Sequence, residues 1–594
     1  MAKFISPNYT KAAASSGSPD TMSIVVVKAG EEGLHMTALR PIASGTRIME
    51  SRAISIALEP PYRTTCCGFC CSSDRNYHTS VARLDNVKEK AAKQRGSGME
   101  LCTDCNLISF CSACSKSRFC RSIHQRECRA LQTVAAVWNG LGNVDEGDDG
   151  DKLTPSHGQE LDSCHLLTTR ILVLRKAPKM SNDDKRSDLN DADNDLHENL
   201  ALLDTLYECE QLPLQFEEFV ECLFKKNSKV DSVFNDTLDL QNKSNLKADY
   251  LRILRQVIGC GHAITNISLP LGQQCLGRAL FVSHSFYNHS CSPNAYLSCH
   301  IAQRVKDETK SSNASSGALI ARVHALRDVG VGDSVTLSYI PLCGMAKSER
   351  QKRLLSGYNF VCKCELCQAG KGDILLPLED GIVVDADPIR EIQYTCSERL
   401  LQSKDANQSQ EHEQLDRSKD SEDGRNGLDV EQIAHVLSLI KMTQRGIRNQ
   451  QIPVAHEVSL ESHRLLALGY SMLHDYSQAI SHHMDFVRII EDNFHGLLSF
   501  DPVALANQYM EFSQDLLLDC ETISDKNESH DSVTEADNES RRKKSMRNRT
   551  VALRYLTTAV GTDHPWVLSL AESGDNSNDK PRKRKCFEVA SSQH

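Results

Sequence analysis

The sequence predicts an α+β protein of several domains, part of it held together by metal. Three observations carry this expectation. Strand-like runs occupy residues 23–60 and 277–345, cysteines crowd the segment from Cys66 to Cys128, and the last third reads as helix. A chain of 594 residues exceeds what one core can organise, so about two to four domains are expected.

Taken in order, Ile24 to Val27 reads as a strand, followed by a glycine-containing turn and a second run ending at Ile54 to Leu58. From about 130 to 265 the pattern is helical, as in Leu166 to Leu174 and Leu200 to Phe224. Two acidic stretches, Asp145 to Asp151 and Ser181 to Asp195, are too polar to bury and read as disordered loops. Short strands return at Ala318 to Val323 and Ser334 to Tyr339, and the polar insert carrying Ser311, Ser312, Ser315 and Ser316 reads as a hairpin loop. Residues 388 to 570 are largely helical, broken by charged linkers at Ser403 to Gly427 and Asp525 to Asn548. Leu460 to Leu473 and Tyr476 to Ile490 read as an antiparallel helix pair, with Gly469 and Ala479 placed where the two could approach closely.

Composition narrows the function. A net charge of −11 gives no general attraction to nucleic acid, and no apolar run is long enough to span a membrane. The start, Met1 to Pro7, has no apolar signal core, so export is not expected. In a reducing compartment 24 cysteines point to metal rather than to disulfides.

Their spacing supports this. Cys102-x2-Cys105, Cys111-x2-Cys114 and His124-x3-Cys128 follow an upstream Cys67-x2-Cys70. A two-residue gap lets two thiolates of one tight turn reach the same ion, and tetrahedral zinc takes four S or N donors. Eight donors make two closed sites, whose role is structural because no coordination position is left open. Cys66, Cys71 and Cys120 leave the register open to swaps with Cys67, Cys70 or Cys114. A second cluster, Cys362, Cys364 and Cys367, offers three thiolates, and Cys291 is the candidate for the fourth.

Cys291 belongs to Asn288-His289-Ser290-Cys291-Ser292-Pro293-Asn294. Downstream follow Arg322-Val323, Ala325 to Asp328, Gly332-Asp333, Ser338-Tyr339 and Tyr358-Asn359-Phe360. In order and spacing these motifs resemble the SET and MYND domain-containing (SMYD) protein-lysine methyltransferase family. The resemblance spans roughly residues 23–370 firmly and the helical remainder loosely. It implies a SET β-fold split by a MYND zinc finger and a helical insert, then a cysteine-rich post-SET zinc site and a C-terminal all-α, tetratricopeptide-like domain. The implied boundaries are a disordered start (1–22), the first SET part (23–62), the finger (63–128), the insert (129–265), the SET core (266–345), the post-SET segment (346–370), the helical domain (371–570) and a basic tail (571–594).

By the same resemblance the finger's ligands interleave, with Cys67, Cys70, Cys111 and Cys114 on one zinc and Cys102, Cys105, His124 and Cys128 on the other. S-adenosylmethionine is the implied cofactor, held by Gly33, Leu34, Asn288, His289, Tyr339 and Phe360. Tyr339 is the implied catalytic tyrosine and Tyr358 a wall of the lysine channel. The partners implied are a protein with a target lysine and proline-rich peptides docking on the finger, with no membrane and no sequence-specific DNA. Of two short basic clusters, Arg541 to Lys544 and Lys580-Pro-Arg-Lys-Arg-Lys585, the second fits a nuclear import signal, so residence in nucleus and cytoplasm is expected. The family's Gly-x-Gly-Leu loop is here Gly30-Glu31-Glu32-Gly33-Leu34, one residue longer, and Gly261 stands where the family carries asparagine. These departures keep a second reading open: a catalytically weak scaffold that binds protein partners.

Overall fold

The structure is a computed structural model. It describes residues 25–30, 33–72, 99–141, 161–176, 196–210, 212–224, 246–265, 275–301, 319–341, 345, 347–368, 388–397, 399–400, 430–449, 452, 455–493, 501–526, 532–562, 564, 567–568 and 570. The amino-terminal stretch, the two acidic loops, the serine-rich insert, the linker from Ser403 to Gly427 and the basic tail lie outside the described residues.

The β part consists of small sheets rather than one large one. β1 (Val25–Gly30) and β2 (Gly33–Ala38) pair antiparallel, with Gly30 opposite Gly33. β3 (Arg47–Arg52) joins β10 (Ala295–Ile301) and β11 (Leu319–Ala325) in the order β10-β11-β3. Ile301 pairs with Leu319, so the strands flanking the serine-rich insert are the antiparallel partners a hairpin requires. β4 (Ser55–Leu58), β7 (His262–Thr265) and β8 (Cys275–Leu280) form the sheet β4-β8-β7, and β5 (Met99–Leu101) pairs with β6 (Ser109–Cys111). The two-residue strands β9 (Asn288–His289) and β12 (Thr336–Leu337) pair in parallel. That pairing brings two distant stretches of sequence side by side.

Helices α1 (Ser112–Lys116) and α2 (Arg118–Leu141) close the cysteine-rich segment. They are followed by α3 (Ser163–Lys176), α4 (Leu214–Leu223) and α5 (Leu246–Cys260). α3 is buried on every face from Ser163 to Leu174, which makes it the axis of this region, and a helix so placed needs no polar stripe. Leu131, Trp138, Leu167, Tyr250 and Val323 share one core, so strands, cysteine-rich segment and helices are packed as a unit. The helix expected over Leu200 to Phe224 is instead a 3-10 turn at Leu203–Thr205 and the separate α4, with Pro213 at its N-cap. A proline lacks the N–H that a continuing helix would need, and it tolerates a helix start.

Beyond α6 (Lys347–Tyr358) and α7 (Glu365–Gln368) the chain is a succession of antiparallel helices: α8 (Val430–Asn449), α9 (Glu457–Met472), α10 (Tyr476–Asn493), α11 (Pro502–Lys526) and α12 (Ser532–Val560). Here two expectations are corrected. The charged linker of Asp525 to Asn548 is, from Ser532 on, the first half of α12. Its inner face is polar, with Ser545 bonded to Ser513 at 2.7 Å and Arg541 paired to Asp519 at 3.2 Å, so hydropathy hides it. Gly469 does not serve the α9–α10 approach. A methyl group there would meet Leu437 of α8 at 2.4 Å, so the close contact is with the preceding helix. The C-terminal helices share a core with Leu326 and Tyr296 of the sheet, and the Tyr296 hydroxyl bonds Asp501 at 3.3 Å.

Candidate active site and metal centres

Three tetrads assemble among the described residues: Cys67, Cys70, Cys111 and Cys114; Cys102, Cys105, His124 and Cys128; and Cys291, Cys362, Cys364 and Cys367. Within each, all ligand atoms lie within 4.8 Å of one another. Tetrahedral zinc with bonds near 2.3 Å sets sulfurs about 3.8 Å apart. The observed pairs match: 3.8 Å for Cys70 and Cys111, 3.7 Å for Cys102 and Cys128, 3.6 Å for Cys291 and Cys367. None of these cysteines is in a disulfide. Crowding by the Cys111 sulfur first, and burial later, drives the Cys70 and Cys114 thiols far above their ordinary range. Four thiols held this close suit a cation that replaces their protons. Cys66, Cys71 and Cys120 are buried but stand outside the tetrads, so the register is the interleaved one.

Local structure explains each ligand's position. The β5–β6 hairpin carries Cys102 and Cys105 in its turn and sets Cys111 at its end, where the sulfur caps α1 by accepting from the Cys114 N–H at 3.4 Å. α2 presents His124 and Cys128 on one face, one turn apart. Behind His124 stands an arrangement that the spacing did not reveal. Its Nδ1 lies 3.2 Å from Glu127, a fully buried carboxylate whose other oxygen accepts from Arg170 Nε at 3.0 Å. Arg170, from α3, also donates to the Ile56 and Gly68 carbonyls at 2.6 Å each and lies 4.7 Å from the Phe69 ring. This carboxylate orients the imidazole so that Nε2 faces Cys105, 3.7 Å away.

The third tetrad adjoins the aromatic group. Asn359 takes the left-handed conformation, φ 56°, after α6, and its N–H bonds Leu355 at 3.0 Å. Asparagine tolerates this helix-ending geometry, which turns the chain so that Tyr358 and Phe360 both reach the β9–β12 junction. Tyr339 N–H donates to His289 Nδ1 at 3.0 Å, and its hydroxyl donates to the Tyr287 carbonyl at 2.6 Å. Tyr358 donates to the Tyr339 carbonyl at 3.2 Å, and Phe360 lies 5.8 Å, ring to ring, from His289. His289 Nε2 is 3.2 Å from Cys291, so the imidazole bridges the aromatic group and the tetrad. Burial raises the Tyr339 phenol well above its ordinary range, so it stays protonated at neutral pH.

Asn288, His289, Tyr339, Tyr358 and Phe360 are thus brought together, each half-buried. Gly33 and Leu34 lie at the start of β2, with Leu34 37% exposed; the link from β2 runs through Thr37, which bridges to Ser334. Two positioning residues carried no assigned role. Asn294 binds the Ser334 carbonyl at 2.9 Å and the Thr336 N–H at 2.8 Å, which fixes the strand leading to Tyr339. Gln351 exchanges two 2.8 Å bonds with the Cys362 backbone. Asn294 lies inside a quoted motif, whereas nothing local in the sequence marks Gln351.

No protein-family model matches the chain. Curated proteins do. Histone-lysine N-methyltransferase SMYD3 of Homo sapiens is 26% identical over 279 residues, 46% of this chain and 49% of that protein. Histone-lysine N-methyltransferase ATXR4 of Arabidopsis thaliana is 31% identical over 112 residues, 18% of this chain and 29% of that protein. Over the matched stretch the chain is similar to a SMYD lysine methyltransferase. The match spans less than half the length of either relative. A solved structure, the SET domain of LSMT bound to lysine and AdoHcy, aligns over 93% of this chain at 11% identity with a TM-score of 0.24, too low to assign a fold.

Proposed function

We propose that the chain is a protein-lysine N-methyltransferase that uses S-adenosylmethionine, with a SET fold split by a MYND finger and closed by a tetratricopeptide-like helical domain. The observation that carries this is the junction of β9 and β12. There Asn288 and His289 meet Tyr339, Tyr358 and Phe360 beside a cysteine tetrad. The group fits the cofactor's chemistry: half-buried aromatic and imidazole faces suit a purine, and a neutral phenol suits a sulfonium neighbour.

When bound, the cofactor supplies a methyl group activated by a positively charged sulfur. That methyl would pass to a neutral lysine amine, with the C–S electron pair left on sulfur and the released proton going to solvent, so the residues' task is to place the amine. Alignment of the amine and exclusion of water therefore dominate the rate. Tyr339 orients the amine through its hydroxyl, held at the Tyr287 carbonyl. Tyr358 would wall the lysine channel, Phe360 would face the adenine, and Asn288 and His289 would hold the cofactor with Gly33 and Leu34. Zinc held by the three tetrads would be structural, because each offers four protein donors. The substrate class is protein lysine, on histones or other proteins, and the finger is a docking site for proline-rich peptides. Nuclear and cytoplasmic residence rests on Lys580 to Lys585, because Arg541 and Lys544 of the other basic cluster are engaged by Asp519 and the Phe512 ring. No described helix is long and apolar enough to cross a membrane.

Calorimetric titration of zinc-replete protein with S-adenosylmethionine tests the reading. Binding should be lost in His289→Ala at unchanged zinc content. It should persist in Tyr339→Phe, which should transfer tritiated methyl to histones about 10² times more slowly. Folded, zinc-replete protein that binds no cofactor would sink the enzyme reading and leave the scaffold.

A further inference from the structure

The C-terminal helices hold a donor cluster that the methyltransferase reading does not use. His463 of α9 and His482 of α10 face each other with their Nδ1 atoms 3.2 Å apart, and Asp485, one turn on from His482, brings Oδ2 to 3.9 Å from His463 Nδ1. All three ligand atoms lie within 4.8 Å of one another. Two imidazole nitrogens on a tetrahedral zinc with bonds near 2.05 Å stand about 3.3 Å apart, so the histidine pair already has the required edge.

The surroundings are built as they are around a ligand set. Arg488 binds the other carboxylate oxygen of Asp485 at 2.8 Å and leaves Oδ2 turned to the histidines. Tyr470 stacks on His482 at 5.7 Å and 11°, and Lys441 lies 5.0 Å from the centre of that tyrosine ring. The neighbouring His483 is committed elsewhere, to Asp515 at 3.0 Å and to Gln508, so it does not compete. His463 and Asp485 remain 17% and 35% exposed, which leaves room for entry and for water in the remaining position.

We infer that His463, His482 and Asp485 form a fourth metal site, an open one for a divalent transition ion such as zinc, that clips α9 to α10. With three protein ligands it binds more weakly than the closed tetrads, so it empties first on dialysis. An open position also lets one further donor, from solvent or from a protein, complete the ion.

The test uses the full-length protein with its tetrads loaded, dialysed against metal-free buffer and then titrated with Zn2+ by calorimetry. Co2+ serves as the spectroscopic probe. The expected result is one further equivalent per chain and a thermal midpoint that rises with added Zn2+. The added Co2+ should show d–d bands without thiolate charge transfer. All of these should be lost in His463→Ala and His482→Ala whose far-UV circular dichroism matches wild type. If an alanine variant unfolds, His482→Gln and Asp485→Asn replace it, because both keep side-chain volume. Uptake of no ion beyond the three tetrads, or a fourth equivalent that survives in the folded variants, would overturn the site.

Discussion

The cysteine-rich segment and the C-terminal helices solve the same problem by different means. Between Cys66 and Cys128 the described strands are only three residues long, and the order comes from two four-ligand sites that interleave across them. From Val430 on, five helices of 16 to 29 residues bury long antiparallel faces on one another and need no tetrad. One region depends on donors placed to within a few tenths of an ångström. The other depends on packing area, which tolerates polar pairs such as Ser513–Ser545 at 2.7 Å inside it. Metal removal should therefore separate the two.

A strong chelator should produce the largest effect. Structural zinc contributes on the order of 10–16 kcal/mol per site in isolated fingers, more than a domain's whole stability margin. Hydrogen exchange on chelated protein should show protection lost from β5, β6 and α2 and from Tyr358 to Gln368. Protection in α11 and α12 should remain. Uniform loss throughout would mean the helical region depends on the metal-held part, and the contrast would fail.

The same contrast explains what the sequence made legible. Ligand spacing exposed the tetrads because chelation demands fixed intervals, and the Asn288 to Asn294 motif drew Cys291 to a cluster 71 residues away at Cys362. The helix pair Glu457–Met472 and Tyr476–Asn493 showed in its apolar periodicity. Longer-range pairings left no such trace. Arg170 reads as an ordinary polar interruption of an apolar run, yet it closes a buried ion pair with a residue 43 positions away. The first half of α12 reads as a linker because charge and asparagine lower its hydropathy, although its partners lie on α11.

Arg170→Met comes next in size. It leaves Glu127 fully buried without its cation, and breaking such a pair costs about 3–5 kcal/mol. Urea unfolding of the zinc-loaded variant should show that loss, and zinc transfer to a chelator should quicken because His124 loses its orienting carboxylate geometry. Adding Glu127→Gln should recover part of the stability, since the uncompensated charge goes with it. If the single variant loses nothing, the anchor across cysteine-rich segment, sheet and α3 is a bystander.

Acid should weaken the metal-held half through the histidines buried in it. Burial lowers His165 to about 4, His262 to about 4 and His284 to about 3. These folded values lie below the unfolded imidazole value near 6.5, so the unfolded chain takes up protons first. Their contribution is complete above about pH 6.5 and is lost as pH falls towards 4, about 3 kcal/mol for His165 alone. Trp138 lies 5.4 Å from the His165 ring, so its fluorescence should follow the transition. His165→Gln should flatten it, and the difference from wild type separates this histidine from acid release of zinc. An unchanged acid limb would place the sensitivity in the tetrads instead.

The smallest effect expected lies in the helices, and it asks whether their packing is as tolerant as the contrast requires. Alanine at Gly469 should gain about 1 kcal/mol of helix propensity. Its methyl group would also sit 2.4 Å from Leu437 Cδ2, and overfilling a packed contact costs about 1–3 kcal/mol. The obstacle is the far end of a flexible side chain, so part of that cost is relieved by a rotamer change. Gly469→Ala should therefore destabilise by about 1 kcal/mol or less, read as a shift in urea midpoint at constant slope. Zinc content and cofactor binding should not change. A larger loss would mean that α8 and α9 interlock as closely as the ligands of a tetrad. A gain would mean that Leu437 has room to move, and that area rather than fit holds this half of the molecule together.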